Sequence, residues 1–430
     1  MGALLALLAA GAVRVADLLV STARITPDTF DYARQSRLPL FSAAFWGSQH
    51  PPLLPFLWKL SPGLVASADP VQLRSLAPVL VLNVVVGVGC WSFLAVTVAR
   101  ALSGRALQAV AFVAVLALSV APEVAGWDSA AVSESLSISL AALLVALVLR
   151  YVDAPTTRMA VALAAVVVLF GLLRDTSIPL AALALGPVLL VTRRRNAGVV
   201  VAALLAVTAV SLWGQSAGHR SSIPTRNAIA FAIAADGAGP WFEARGLPVG
   251  PDTPRILVER PASAFDTNPR AARLRPWLAA KGRSTWLAYL ATHPSRTTRL
   301  AENLSIVYDP PRAALANYWG VGGIERGFFP RSSLLVLLAA LGAAGATVAR
   351  RRKDTLVLGS MLLACAVTSV LMWDADAVEF YRHAVVVPVL TRVALIALAL
   401  GGLDCLLEEV AQRRRSSTWR SRLAFDHQST

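Results

Sequence analysis

The residues best suited to chemistry lie in the stretch Ile25–Leu57, which follows the first apolar segment of the chain. Within it Asp28 and Tyr32 stand four residues apart, so a helical turn would place both side chains on one face and turn Asp31 away. A carboxylate in such a loop can remove a proton from a hydroxyl nucleophile. A structural alternative is that Asp28 caps a short helix after Pro27. The sequence therefore predicts Asp28 as the first candidate for a catalytic carboxylate.

Further ionisable residues stand at the ends of later apolar runs. They are Asp128 and Glu134 in WDSAAVSES, Arg174 and Asp175 in LLRDTS, Asp374, Asp376 and Glu379 in DADAVEF, and Arg382 with His383 in FYRH. A guanidinium group stays charged and meets phosphate oxygens through two parallel hydrogen bonds. Such a set suits a reaction in which a carboxylate activates a hydroxyl while arginines hold a phosphate leaving group.

Structural roles for the same residues remain open. Arg174 could form an ion pair with Asp175 at a helix end. His50, which precedes two prolines, could pack against its own loop. Glu134 could cap the following helix together with Ser133, where the helix dipole favours an anion.

Composition indicates the class of protein. Of the 430 residues, 56% are hydrophobic and only 15% are charged, which excludes a soluble domain. The net charge of +15 comes from short basic clusters between apolar runs, which is the distribution of topology signals rather than of a nucleic-acid surface. The three cysteines have neither disulfide nor metal-ligand spacing. We predict an all-α polytopic membrane protein whose partners include the lipid bilayer and no nucleic acid.

Ten apolar runs are candidates for membrane helices, several of them near the lower limit of length for crossing the hydrocarbon. They are about residues 1–21, 76–98, 106–122, 135–151, 159–173, 178–192, 197–213, 332–349, 355–373 and 384–404. The first is interrupted by Arg14 and Asp17, which could pair on one helix face. The expected domains are a transmembrane catalytic module at 1–213, an extracytoplasmic subdomain at 214–330, C-terminal transmembrane helices at 331–404 and a basic cytoplasmic tail at 405–430.

Basic clusters predict the orientation, because Arg and Lys in short loops are retained on the cytoplasmic side. Clusters follow every second span, at Arg100 with Arg105, Arg150 with Arg158, Arg193–Arg195, Arg350–Lys353 and Arg413–Arg415. Both termini are therefore expected in the cytoplasm of a multi-pass inner (plasma) membrane protein, with the first loop outside. In the outer subdomain Trp277, Trp286 and Tyr289 are expected on a surface that faces lipid or substrate.

The order of these features resembles the GT-C superfamily of integral-membrane glycosyltransferases, in an uncharacterised actinobacterial type. The matching features are D-x-x-x-Y at Asp28 and Tyr32, His50-Pro51-Pro52-Leu53, Ser133-Glu134 at the fourth span, Arg174 after the fifth, and Tyr381-Arg382 before the last. Each motif is short, and their order and sidedness carry the resemblance. It covers roughly residues 1–213 and 332–404.

The resemblance implies a transferase that takes a hexosyl or pentosyl group from a polyprenyl-phosphate donor and passes it, with inversion, to an envelope glycan, lipid or protein acceptor. Asp28 would be the catalytic base. The substrate-binding residues would be Tyr32, His50, Asp128, Glu134, Arg174, Tyr381, Arg382 and His383. Some relatives bind a divalent metal in the first loop and others work without one. Thr29 stands where an acidic residue is frequent, so no cofactor is assigned and a divalent metal stays open.

Two other classes compete with this prediction. A transporter or flippase of an envelope precursor would also have about ten spans and charged residues facing a cavity. Transporters commonly show internal halves and interrupted helices near the midplane, whereas here the polar residues are expected at one membrane edge and no similarity between two halves is visible. A scaffold acting through residues 214–330 would leave the acidic first loop without a role. The clustered polar residues therefore favour a glycosyltransferase.

The orientation can be tested by cysteine labelling in a variant whose three native cysteines are replaced by serine. We expect a cysteine at Ser222 to react with a membrane-impermeant maleimide on intact cells, and a cysteine at Ser417 to react only after permeabilisation. A Ser222 cysteine that reacts only from the cytoplasmic side would contradict an active site on the outer side.

Overall fold

The computed structural model describes residues 2–21, 23–60, 73–192, 196–217, 220, 222–259, 262–302, 304–309, 328–349, 353–375 and 380–426. Regular structure in these ranges is helical, apart from one isolated parallel bridge between Arg24 and Ala130. The predicted basic residues 193–195 and 350–352, and the acidic Asp376 and Glu379, lie outside the described residues.

The first eleven α-helices carry the N-terminal membrane region and the first loop. They are α1 Gly2–Val20, α2 Pro27–Ser36, α3 Ala43–Trp46, α4 Leu53–Lys59, α5 Leu73–Arg100, α6 Arg105–Ser119, α7 Pro122–Ala125, α8 Glu134–Asp153, α9 Thr157–Leu173, α10 Ser177–Thr192 and α11 Ala197–Ala217. A 3-10 helix at Gly126–Ser129 follows α7 directly.

Twelve further helices complete the described chain. They are α12 Ser222–Ala235, α13 Gly239–Glu243, α14 Thr253–Leu257, α15 Ala262–Thr267, α16 Leu274–Trp277, α17 Arg283–Thr292, α18 Ser295–Glu302, α19 Leu304–Tyr308, α20 Ser332–Val348, α21 Lys353–Ala375, α22 Phe380–His383 and α23 Val386–Asp426. A 3-10 helix at Pro269–Arg273 and a π-helix at Leu278–Gly282 flank α16. The basic tail continues α23 as helix as far as Asp426.

All ten apolar runs of the sequence fall on helices, but not every helix is long enough to be a complete span. Six are long and apolar enough to cross a membrane, namely Gly2–Val20, Leu76–Arg100, Glu134–Asp153, Ala197–Ala217, Lys353–Ala375 and Val386–Arg414. α6 and the segment Pro122–Ser129 would form a seventh, bent by 51°. α9, α10 and α20 are shorter apolar helices. The all-helical polytopic prediction is confirmed, whereas ten complete spans are not.

Helix α8 is the axis of the bundle. It packs against α5, α9, α10, α21 and α23, and 89% of its apolar 18-residue stretch is buried. Small side chains allow this close packing, because serine and alanine let helix backbones approach each other. Four buried serines alternate through the start of the helix, at Ser133, Ser135, Ser137 and Ser139. The first residue of α8, Glu134, is consequently placed inside the protein at one end of the bundle.

Helix α1 is tied to the bundle by one buried ion pair. Its residues are largely exposed except Arg14, whose guanidinium binds Asp128 through Nε (2.8 Å) and Nη2 (3.0 Å). Ser135 Oγ also donates to Asp128 (2.6 Å). Gly87 leaves room for this contact, since a Cβ there would lie 2.6 Å from Arg14 Cζ. The partner of Arg14 is therefore Asp128 rather than the Asp17 suggested by helix spacing.

Within the predicted subdomain, residues 228–290 form a small core of their own, and α12 and α18 pack on α21. Trp277, Trp286 and Tyr289 are buried in that core, so Trp277 and Tyr289 do not occupy the predicted surface, whereas Trp286 also contributes to the lining of a cavity at this end of the bundle. Trp286 Nε1 donates to the carbonyl of Asp374 (2.9 Å), and Trp373 Nε1 donates to the carbonyl of Arg296 (3.1 Å). These bonds hold the subdomain against the same end of the bundle at which Glu134 lies.

The ion pair of α1 predicts a large effect of one substitution. Asp128→Asn leaves the buried guanidinium of Arg14 uncompensated, so we expect a loss of roughly 3–5 kcal/mol of stability. Glu409→Gln, which breaks an exposed pair with Arg413, should cost less than about 1 kcal/mol. Thermal unfolding in detergent measures both changes. An Asp128→Asn protein that unfolds at the wild-type temperature would show that this pair does not hold α1.

Candidate active site at one end of the bundle

A cavity of about 560 Å³ opens at the end of the bundle where the first loop, α8, the α9–α10 turn, α22 and the subdomain meet. Its lining includes six of the nine residues predicted from the sequence, namely Asp28, Tyr32, His50, Arg174, Arg382 and His383. Three others do not appear in that lining. Glu134 lies beneath it, Asp128 is engaged with Arg14, and the side chain of Tyr381 is outside the described residues.

Glu134 is the centre of a chain of ion pairs. Its fully buried carboxylate binds Arg382 Nε and lies 3.4 Å from Arg174 Nη1. Arg382 also binds Asp28 through Nη2. Arg174 Nη2 also lies 3.1 Å from His383 Nδ1, and because a guanidinium can only donate, this ring nitrogen is placed to accept. The group brings together four segments that are distant in the sequence.

The position of Glu134 explains why a carboxylate is stable there. It is the first residue of α8, where backbone N–H groups and the helix dipole favour a negative charge. Two guanidinium groups supply the remaining compensation that a buried carboxylate requires. The proposed cap with Ser133 is not what holds Glu134, because Ser133 makes no side-chain cap bond. Arg174 likewise binds Glu134, and Asp175 has a different partner.

The first loop is positioned by hydrogen bonds to the segment before α8. Thr26 is the N-cap of α2, and its backbone N–H donates to Thr29 Oγ1 (3.0 Å). Thr29 Oγ1 donates in turn to the carbonyl of Ala131 (3.1 Å). Capping of α2 therefore belongs to Thr26 and not to Asp28. Asp28 lies in the first turn of α2, and its side chain remains at the cavity beside Arg382.

Asp31 also lines the cavity, contrary to the expectation that it would turn away. Residues three apart share a helix face almost as well as residues four apart. His50 Nε2 lies 3.4 Å from Asp31 Oδ2, and Arg34 binds the other carboxylate oxygen. Burial alone would raise the pKa of Asp31, but the hydrogen bonds and charges of His50 and Arg34 outweigh it and lower the pKa below its ordinary value. Asp31 is therefore ionised at neutral pH.

Asp28, Asp31 and His50 could hold a divalent cation, because one ligand atom from each lies within 4.8 Å of the others. Two carboxylates and an imidazole are a suitable donor set for metals such as Mn²⁺ or Zn²⁺, and three protein ligands leave positions for water or substrate. In the structure these carboxylates bind Arg382 and Arg34 instead. A cation would thus compete with two guanidinium groups.

Tyr32 is buried beneath the first loop, between His50 and Ser133. Its ring lies 4.7 Å from the ring of His50, and its hydroxyl is 3.5 Å from Ser133 Oγ. Burial and the carboxylates of Asp28 and Glu134 raise the pKa of Tyr32 above its ordinary value. The hydroxyl therefore stays protonated, and Tyr32 can orient His50 or donate a hydrogen bond but not act as a base.

Arg220 is a residue of the site that sequence reasoning missed. Its buried guanidinium donates to the carbonyls of Ser48 (2.6 Å) and Trp46 (2.6 Å) and lies 3.4 Å from Asp175 Oδ1. It therefore joins the loop just before His50 to the residue just after Arg174. The only signal in the sequence is one arginine after an apolar helix, which does not reveal partners so far away.

Comparisons with known proteins give distant structural similarities. No family model and no curated protein matches the sequence. One similar structure is the oligosaccharyltransferase AglB from Archaeoglobus fulgidus in complex with an inhibitory peptide and a dolichol-phosphate, with TM-score 0.44, 15% identity, and 97% of this chain and 52% of that one covered. Another is the Archaeoglobus fulgidus oligosaccharyltransferase in the apo form, with TM-score 0.45, 13% identity, and 96% and 52% covered.

This chain thus spans about half the length of the two similar structures.

Arg220 holds the first loop through its hydrogen bonds to the carbonyls of Trp46 and Ser48, a set of contacts called the Arg220 clamp below. The clamp leads to a prediction about this loop. Arg220→Gln removes charge-assisted bonds to two loop carbonyls, so backbone amides in 46–50 should exchange hydrogen at least tenfold faster. Gly214→Ala should act similarly, because a Cβ there would lie 2.8 Å from Arg220 Cζ. Arg245→Gln, an exposed arginine of the subdomain, serves as the control. Unchanged exchange in both Arg220→Gln and Gly214→Ala would exclude the clamp.

Proposed function

We propose that this chain is a membrane glycosyltransferase that moves a sugar from a polyprenyl-phosphate donor to an envelope glycan, lipid or protein acceptor. The observation that supports this most is the meeting of Asp28 with Arg174 and Arg382 in one cavity at the end of apolar helices. A carboxylate can activate an acceptor hydroxyl, and two guanidinium forks suit a phosphate leaving group. A polyprenyl chain can stay in the hydrocarbon while its phosphate enters such a cavity.

The proposed reaction is a single displacement with inversion. Asp28 removes the proton from the acceptor hydroxyl as the oxygen attacks the anomeric carbon. The bond between that carbon and the phosphate oxygen breaks, and its electron pair leaves with the phosphate. Arg382 and Arg174 stabilise the charge that develops on the leaving phosphate. Glu134 keeps both guanidinium groups in place throughout.

The ion pair between Asp28 and Arg382 sets an order of events in this scheme. A carboxylate bound to a guanidinium is a weak base, because the positive charge favours its ionised form. A donor phosphate that takes over Arg382 would release Asp28 to accept a proton. The base is therefore activated when the donor is bound and inactive in the empty cavity.

A transporter is the alternative that the sequence left open. Its substrate site would lie near the bilayer midplane, between helices broken at that depth. Here the charged groups stand at helix ends, since Glu134 begins α8 and Arg174 is the C-cap of α9. A cavity at the ends of apolar helices favours chemistry on a substrate whose headgroup lies at the membrane surface.

The central test is the exchange of Asp28 for asparagine, which is nearly isosteric but cannot accept the proton. General-base catalysis contributes about 10²–10⁴-fold, so turnover of Asp28→Asn should fall by that order while its melting temperature is kept. Asp31→Asn should lose far less, and Asp252→Asn on the exposed subdomain surface nothing. The assay uses purified protein, a panel of polyprenyl-phosphate hexoses and pentoses, and membrane extract as the source of acceptor.

Two outcomes of this assay would contradict the assignment. If Asp28→Asn kept wild-type turnover while Asp31→Asn were inactive, the base would be Asp31 and not Asp28. Wild-type turnover in both variants would remove the first loop from catalysis. Repeating the assay with EDTA, and then with Mn²⁺ or Mg²⁺ added back, tests the cation site separately.

A further inference from the structure

The subdomain supplies a second wall of the cavity whose role the reaction scheme leaves open. This wall consists of Ile223–Thr225 at the start of α12 and of Arg283, Trp286, Leu287 and Leu290 on α17. Arg283, Leu287 and Leu290 are spaced by four and three, so they lie on one helix face. Leu371 and Asp374 at the end of α21 also line the cavity. The most exposed side chains of this wall are thus one arginine and aliphatic residues, with the buried Trp286 between them.

The charge of Arg283 distinguishes it from the other arginines of the cavity. Arg382 and Arg174 are bound by Glu134, and Arg220 by Asp175. Arg283 is exposed and has no carboxylate partner among the residues that the structure describes. An anion can bind Arg283 without breaking an ion pair, whereas at the other three arginines it must compete with a carboxylate. Arg283 on α17 is therefore the cavity arginine that a bound anion can reach without displacing a described carboxylate, since Asp374, which also lines the cavity, is bound by Thr297.

The neighbours of Arg283 suit an apolar chain better than a sugar ring. Leu287 is 57% exposed and Leu371 42% exposed, so both offer open aliphatic surface. Trp286 cannot serve as a stacking platform for a sugar, because its ring stacks on Tyr289 and the guanidinium of Arg296 lies 4.9 Å from its centroid. A cation beside exposed aliphatic side chains fits an amphiphile with a negative headgroup.

Resting on the proposed function, we infer that this wall binds the acceptor and that the acceptor is an anionic lipid. Its chain lies against Leu287, Leu290 and Leu371, and its negative group binds Arg283. The donor phosphate is then left to Arg174 and Arg382 on the facing wall. Two anionic substrates are held by separate cations, with Asp28 available to the acceptor hydroxyl.

A binding experiment tests this inference without turnover. The full-length protein in phosphatidylcholine nanodiscs is titrated by calorimetry with dihexanoylphosphatidylglycerol, and with the zwitterionic dihexanoylphosphatidylcholine as the comparison without net charge. We expect the anionic lipid to bind wild type at least tenfold more tightly than the zwitterionic one. Arg283→Gln should lose that preference, and Arg283→Lys should keep part of it. Lys281→Gln, exposed on the preceding turn and absent from the cavity lining, should bind as wild type does.

Competition with undecaprenyl phosphate shows whether Arg283 belongs to a separate acceptor site or to the donor site. Binding of both lipids at once supports an acceptor wall that is separate from the donor site. Competitive displacement would assign Arg283 to the donor phosphate and overturn the inference. An unchanged preference in Arg283→Gln, or the same loss in Arg174→Gln, would overturn it as well. Because Arg283 makes no ion pair with the described residues, we expect Arg283→Gln to keep the wild-type melting temperature, so a loss of binding is not a loss of folding.

The failure of this inference can be distinguished from failure of the proposed function. If the protein transfers sugar but its lipid binding does not depend on Arg283, only the acceptor wall is refuted and the glycosyltransferase stands. Binding that depends on Arg283, without transfer from any polyprenyl-phosphate sugar, contradicts the glycosyltransferase and with it the acceptor role.

Discussion

The buried carboxylate of Glu134 is the constraint on which the candidate site depends. A carboxylate with no solvent exposure is stable only when opposite charges and helix dipoles compensate it. Arg174 and Arg382 provide that compensation, and they come from segments 40 and 248 residues further along the chain, as the residue numbers show. Burying Glu134 therefore requires the end of α9 and the short α22 to meet above α8. The cavity forms where they meet.

Two acids in one short segment have separate roles because their partners differ. Asp128 binds Arg14 and fixes α1 on the bundle, whereas Glu134 binds the arginines of the cavity. The sequence places both acids in the same loop and provides no local reason to separate them. The start of α8 separates them. Glu134 is the first residue of α8 and lies at the cavity, whereas Asp128 lies in the preceding 3-10 helix.

Local patterns of the sequence predicted the helices and the residues of the main motifs, since apolar runs and motif order do not depend on distant partners. Asp28, His50, Arg174 and Arg382 meet in one cavity, as their order along the chain suggested. The failures concern partners that only folding reveals. The role of Arg220 depends on carbonyls more than 170 residues away. Helix spacing alone could not place Asp31, since three-residue and four-residue separations both keep side chains on one face.

The pairing of Asp28 with Arg382 reconciles two requirements that otherwise conflict. An empty cavity of low polarity is costly if it holds uncompensated charges, yet a general base and a phosphate site both need charges that substrates can reach. One arginine meets both requirements if it binds the carboxylate when the donor is absent and the phosphate when the donor is present. The net charge of Asp28, Glu134, Arg174 and Arg382 is then zero before binding. In the proposed reaction an incoming phosphate would change the partner of Arg382 without a new cation, while the ion pair with Glu134 would hold the guanidinium in place during the exchange.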